Sequence, residues 1–192
     1  MNFINKNKIM SFGNYFITAI LFVVYSCSDN ETQTVTTLKK LVFVDNFEVD
    51  GALDSAKWAY DTGTGDNGWG NNELQYYSDR IENVEVKDGM LHITALQESY
   101  MGSGYTSGKV LTRGLFETKY GRFEARIKLP WGQGLWPAFW LLGDDAEGTV
   151  IWPKIGEIDI MEYVGQEPTI AHGSIHGPGY SAGEAVTKSY TL

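Results

Sequence analysis

Asn83-Val-Glu-Val-Lys-Asp88-Gly89-Met-Leu-His-Ile-Thr94 settles the fold class. Two short alternating runs flank Asp88-Gly89, a dipeptide that turns a β-hairpin because both of its residues tolerate positive φ. The same period of two runs through Gly121-Arg-Phe-Glu-Ala-Arg-Ile-Lys-Leu-Pro130. There Phe123, Ala125, Ile127 and Leu129 would face one side of a strand, and Arg122, Glu124, Arg126 and Lys128 the other. Leu41–Val44 and Leu135–Leu142 are further strand candidates. No later segment shows a sustained helical period with caps. The chain carries 22 glycines, many between the apolar runs, where turns need positive φ. The pattern predicts an all-β protein, an antiparallel sandwich or barrel.

The 192 residues allow one ordinary domain. Its first stretch reads differently. Lys6 and Lys8 precede an apolar run from Tyr15 to Tyr25 that is too short to span a bilayer comfortably, and the run ends at Val24-Tyr25-Ser26-Cys27. This order resembles a bacterial lipoprotein signal over residues 1–26, with Cys27 as the lipidated first residue. An ordinary cleaved signal is the alternative. Residues 27–39 are polar and read as a flexible tether, and residues 40–192 form the domain. The expected location is the cell envelope, at the outer membrane or cell surface, with the membrane touched only through the lipid anchor. Cys27 is the one cysteine, so an intrachain disulfide is excluded. The sequence stops at Ala185-Val-Thr-Lys-Ser-Tyr-Thr-Leu192 without a turn, tail or closing strand, which predicts a sandwich truncated at its C-terminus. The formal net charge of −9 argues against nucleic acid as a partner and favours a neutral substrate.

Chemistry concentrates in Gly156-Glu157-Ile158-Asp159-Ile160-Met161-Glu162. In a strand Glu157 and Asp159 share a face, while strict alternation sends Glu162 to the other. One extra residue at Ile160-Met161, a β-bulge, returns Glu162 to the carboxylate face and turns Ile158 and one of Ile160/Met161 inward. Glu157 and Glu162 are then four strand steps apart at Cα, roughly 13 Å. Side chains leaning together can close much of that gap, toward the roughly 5–5.5 Å of a retaining glycosidase pair. Close like charges raise the pKa of one member, so an acid can stay protonated near neutral pH. An acidic strand face can also be no more than a solvated surface. Three adjacent like charges, however, cost stability that function would have to justify.

The sequence resembles glycoside hydrolase family 16, and within it the laminarinase-like endo-β-1,3-glucanases. The resemblance rests on Trp69-Gly-Asn-Asn-Glu-Leu-Gln-Tyr-Tyr77, Tyr120-Gly-Arg-Phe-Glu-Ala-Arg126, Gly134-Leu-Trp-Pro-Ala-Phe-Trp-Leu-Leu142, the Glu157–Glu162 segment and His172-Gly-Ser-Ile-His-Gly-Pro-Gly179. It implies a β-jelly-roll sandwich, concanavalin A-like, with an open cleft on its concave sheet. It also implies Glu157 as nucleophile, Asp159 as assisting carboxylate and Glu162 as general acid/base, in an endo-acting double displacement on β-1,3-glucan. A histidine near the acid/base is matched by His176, which an ordinary sheet histidine would also explain; His172 reads as structural. Trp136 and Trp140, four apart, would share a face and stack on sugar rings, although a Trp-rich core would also use them. Trp131 and Trp69 are weaker candidates of the same kind. Asn71, Glu73 and Arg113 are loop groups that could bind glucosyl hydroxyls or serve turns.

The chemistry needs no metal. Many members hold a structural calcium away from the cleft; here Asp45-Asn46-Phe47-Glu48 stands where they often have Asp-Glu-Phe, so a calcium is left open. The competing readings are a family member acting on agarose, carrageenan or mixed-linkage β-glucan, a transglycosylase, and a non-catalytic carbohydrate-binding sandwich. A monomer is expected.

Overall fold

The computed structural model describes residues 40–145 and 148–192. The signal, Cys27 and the tether lie outside the described residues.

Eleven strands make up the described regular structure, apart from two short helical turns, Gly68–Asn72 and Ala182–Glu184. In chain order they are β1 Ala59–Asp61, β2 Gln75–Tyr77, β3 Val84–Lys87, β4 Met90–Ile93, β5 Leu96–Tyr100 and β6 Ser103–Ser107. They continue with β7 Lys109–Leu111, β8 Ala138–Leu142, β9 Glu157–Glu162, β10 Ile170–His176 and β11 Val186–Thr191. The hairpin falls where the sequence predicts it: β3 pairs antiparallel with β4, from Val84 opposite Ile93 to Lys87 opposite Met90. Asp88 (φ 54°) and Gly89 (φ 72°) both take the left-handed conformation that such a turn demands. The alternation has its expected result, since Val84 and Val86 bury beside Leu53, with Trp58, Tyr60 and Val110 packed against them.

Next to this core lies a buried polar knot. Asn83 donates to the Thr94 carbonyl (3.0 Å) and to Thr106 Oγ1 (2.9 Å), and Thr106 donates to Glu98 Oε1 (2.6 Å). Glu98 in turn pairs with Arg80. Every member has a partner, so the knot ties the β2–β6–β5 sheet to the hairpin without orphaned groups. Within that sheet β2 pairs parallel with β6, an exception to the antiparallel expectation.

The sheet that matters for chemistry has the order β11–β10–β9–β8 and is antiparallel throughout. Its central pair carries the predicted bulge. Phe139 faces Met161 and the next residue, Trp140, faces Asp159, so Ile160 is skipped. On the other side His172 faces Glu162 and Ser174 faces Asp159, leaving Gly173 against both Ile160 and Met161. Two residues oppose one on either flank, which is a β-bulge by definition.

Three local expectations need correction. Residues 121–130 join no strand ladder among the described residues, because alternation makes a strand only where a neighbour takes its N–H and C=O groups. Phe123, Ala125, Ile127 and Leu129 nonetheless line one largely apolar recess with Ile160 and Met161, although Glu124 of the opposite set also reaches its wall. Leu41–Val44 also forms no strand; Phe43 alone is anchored there, against Phe116 (4.8 Å between ring centroids) and Trp58 (5.7 Å). Ile158, expected inward, is 47% exposed. It does face away from the carboxylates, beside Leu141 and the equally open Ile175, but no described element covers that part of the sheet.

Candidate active site

Residues directly opposite in a ladder share a face, so the register of β8, β9 and β10 defines the carboxylate face. Glu157 lies between Leu142 and His176, Asp159 between Trp140 and Ser174, and Glu162 between Ala138 and His172. The bulge brings all three acids onto this face.

Each carboxylate has its own donor. The Trp152 indole N–H donates to Glu157 Oε2 (2.6 Å), and the Trp136 indole N–H donates to Glu162 Oε1 (3.0 Å). His176 Nε2 meets Asp159 Oδ2 at 2.8 Å. The backbone N–H of Ala182 donates to His176 Nδ1 (3.2 Å), so Nδ1 must be an acceptor. The ring proton of neutral His176 therefore sits on Nε2, from which it donates to Asp159. Asp159 is the buried member, with a side chain only 4% exposed. Burial, reinforced by the charges of Glu162 and then Glu157, pushes its carboxyl up to about 6, while the His176 hydrogen bond and charge pull the other way. A carboxyl that protonates near neutral pH between two others is the arrangement with which one group can hold a proton while its neighbours stay ionised.

Trp140 and Trp136 reach the face by different routes. Trp140 lies in β8, opposite Asp159. Trp136 precedes the strand, against expectation, because Pro137 has no N–H to give a ladder. The chain there still runs beside the end of β9, through Tyr163 N–H to the Pro137 carbonyl (3.2 Å) and Gly165 N–H to the Leu135 carbonyl (2.9 Å). That guides the Trp136 indole to Glu162.

The loop candidates gather around Glu73 and reach the carboxylate sheet through one cation, Lys109. Glu73 accepts from Asn71 (3.2 Å), Gln75 (2.6 Å) and the Tyr77 hydroxyl (2.7 Å). Burial and the Glu73 carboxylate push the Tyr77 phenol up, so it stays a donor. The Tyr77 ring lies 5.8 Å from that of Trp69, and Lys109 Nζ lies over Trp69 (3.9 Å) and Trp140 (5.4 Å). Arg113 is one step further out, paired with Asp61 (3.2 Å), which also holds Lys109 (3.3 Å). Trp131 is not brought to the carboxylates. It is 84% exposed and lines a separate recess with Gln133, Gln166 and Pro168.

Sequence reasoning placed His176 near the acid/base; it lies instead at the Glu157 end of the row, bonded to Asp159. His172, read as structural, is the histidine opposite Glu162, with Ser189 Oγ and Glu167 Oε2 each 3.0 Å from a ring nitrogen. Trp152 and Lys109 were missed. An indole five residues ahead of the first glutamate was a usable signal for Trp152, whereas nothing local marks Lys109. The possible calcium residue Asp45 spends its oxygens on the Phe47 N–H (2.9 Å) and the Trp58 indole (2.9 Å), beside Lys57 (3.6 Å). Burial works to raise its pKa, but these donors and the Lys57 charge outweigh it and hold the carboxyl below its usual range. Among the described residues no three His, Cys, Asp or Glu side chains group as metal ligands.

An all-β fold that carries a bulge-aligned row of carboxylates flanked by indoles on one sheet face defines the class. The chain belongs to glycosyl hydrolases family 16, whose model matches residues 67–191, and its fold is that family's β-jelly roll. It is 49% identical over 144 residues to a beta-glucanase of Rhodothermus marinus, covering 74% of this chain and 50% of that protein. It is 42% identical over 153 residues to glucan endo-1,3-beta-glucosidase A1 of Niallia circulans, covering 72% and 22%. The laminarinase structure from Rhodothermus marinus superposes with a TM-score of 0.75 at 47% identity, over 80% of this chain and 62% of that one. The chain thus spans at most half the length of these two curated relatives.

Proposed function

We propose that the protein is an endo-acting, retaining β-glycosidase that hydrolyses β-1,3-glucan. The observation that carries this reading is the bulge at Ile160, which gathers Glu157, Asp159 and Glu162 on one face, each with its own N–H donor. Glu157 attacks the anomeric carbon while Glu162 gives its proton to the departing glycosidic oxygen, leaving a glycosyl ester on Glu157. Glu162, now a carboxylate, takes a proton from water as the water displaces Glu157. Asp159, on the same face between the two glutamates, takes up and releases a proton near pH 6, and His176, locked in one tautomer by Ala182, holds it in place. The relatives named for β-glucan and endo-1,3 activity support the substrate class.

The test is digestion of laminarin, lichenan and agarose by the protein, with Glu157→Gln and Glu162→Gln alongside. Early release of mixed short β-1,3 oligosaccharides from laminarin, initially of β-configuration by NMR, is expected. Both variants should lose turnover by several orders of magnitude and retain oligosaccharide binding. No product from any polymer would sink the enzymatic reading, and products from agarose alone would move the substrate. We further infer an exported, monomeric protein anchored through Cys27. Metabolic labelling with a fatty acid, abolished by Cys27→Ala, is the expected sign.

A further inference from the structure

We infer that Lys109 is a positioning residue of this site: an ammonium wedge that fixes the indole planes of Trp69 and Trp140. The inference rests on the function proposed above for its meaning, but not for its geometry. Lys109 opens β7 directly opposite Asp61 on β1, and Asp61 Oδ2 anchors its Nζ at 3.3 Å. From that anchor the ammonium lies 3.9 Å from the Trp69 ring centroid and 5.4 Å from that of Trp140, both within the roughly 6 Å reach of a cation–π contact. One cation thus joins the loop before β2 to the catalytic sheet, where Trp140 stands opposite Asp159.

A second, independent observation concerns what the chain tolerates to keep Trp69 there. Trp69 is held at φ 55° and ψ 29°, a left-handed conformation unfavourable for a bulky residue. Its neighbours Asn67, Gly68, Gly70 and Asn72 also have positive φ. Gly65 has no side chain where one would strike the indole, since a Cβ there would lie 2.5 Å from the ring. The Trp69 indole N–H is buried with no hydrogen-bond partner. Backbone strain and an orphaned donor together are tolerated only where the surroundings hold the residue in place, and such strain clusters at functional sites. Here the holding group is Lys109. A ring already fixed in its working plane spares the ordering cost that a sugar would otherwise meet on stacking, so the effect belongs in binding and not in the chemical step.

Lys109→Met keeps the length and removes the charge, and Lys109→Arg restores a cation. For the Met variant KM on laminarin should rise about three- to tenfold, the worth of such a contact, with kcat within about twofold. Near-ultraviolet circular dichroism of the free protein should change at the indole bands, and Lys109→Arg should recover most of both signals. Unchanged KM and spectrum in the Met variant would overturn the proposal. So would an Arg variant as impaired as the Met variant, or kcat, KM and melting temperature deteriorating together, which marks a merely structural lysine. If the wild-type protein cleaves no β-1,3-glucan, the functional reading fails, and the spectra still decide the role of Lys109.

Discussion

Asp159→Asn should make the protein more stable at neutral pH while crippling it as an enzyme. In the folded chain the Asp159 carboxyl is lifted from 3.8 to about 6 by burial and by the charges of Glu162 and Glu157. A raised folded pKa means that the folded state holds this proton more tightly than the unfolded chain does. The stabilising contribution is therefore complete below about pH 3.8 and is withdrawn as pH rises through about 6. The lift is about two pKa units, which corresponds to at most about 3 kcal/mol of stability lost by pH 8. Asparagine carries no charge to desolvate and can still accept the His176 Nε2–H bond through its amide oxygen. Urea or thermal melts of both proteins at intervals from pH 3 to pH 8 should lie closest together at the acid end, separate between about pH 4 and pH 6, and keep a constant gap above about pH 7. At neutral pH the variant should melt several degrees higher, since each kcal/mol shifts a domain of this size by about 2–4 °C. Its kcat should fall on the order of a hundredfold, as expected when a proton-holding group is lost. Melting curves that run parallel across the whole range would refute the electrostatic argument, even if activity were lost.

Two further outcomes follow from contacts around the glutamates. Trp152→Phe removes the 2.6 Å indole donor to Glu157 but keeps an aromatic ring beside His176, whose ring centroid is 5.9 Å away. Loss of a hydrogen bond to a charged group, about 1.5–3 kcal/mol, predicts a fall in kcat/KM of at least tenfold without a large change in melting temperature, read by steady-state kinetics and calorimetry. Gly165→Ala would place a Cβ 1.6 Å from the Gly132 carbonyl oxygen, so backbone must move and carry the Leu135–Trp136 segment away from Glu162. It should cost at least about 1–3 kcal/mol in denaturant melts, whereas Gly183→Ala, with open space around its Cβ position, should be nearly neutral.

Local rules carried far where they concern neighbours in the chain. Asp88-Gly89 announced its turn because few residues accept two consecutive positive φ values. The bulge at Ile160 was legible by counting, since a period of two cannot align Glu157, Asp159 and Glu162 without one extra residue. The same counting misjudged residues 121–130, whose alternation is real but lacks a described strand to pair with. It also overstated the burial of Ile158, because a side chain's direction is a property of its strand and its covering is a property of another.

Assignments at the site failed in the same way. His176 was placed beside the acid/base by the family resemblance, yet antiparallel pairing folds it back beside Glu157, and an amide from Ala182 selects its tautomer. Lys109 carries no local mark, for its meaning comes from Asp61, Trp69 and Trp140, which lie 48 residues before, 40 before and 31 after it. The all-β class, the hairpin and the aligned row of acids were thus determined by sequence alone, because backbone sterics and strand parity act over a few residues. Which donors hold each acid, and which cation aligns the indoles, was decided only by the tertiary structure. Contacts of that kind depend on the register between strands and on their packing, which no local pattern encodes.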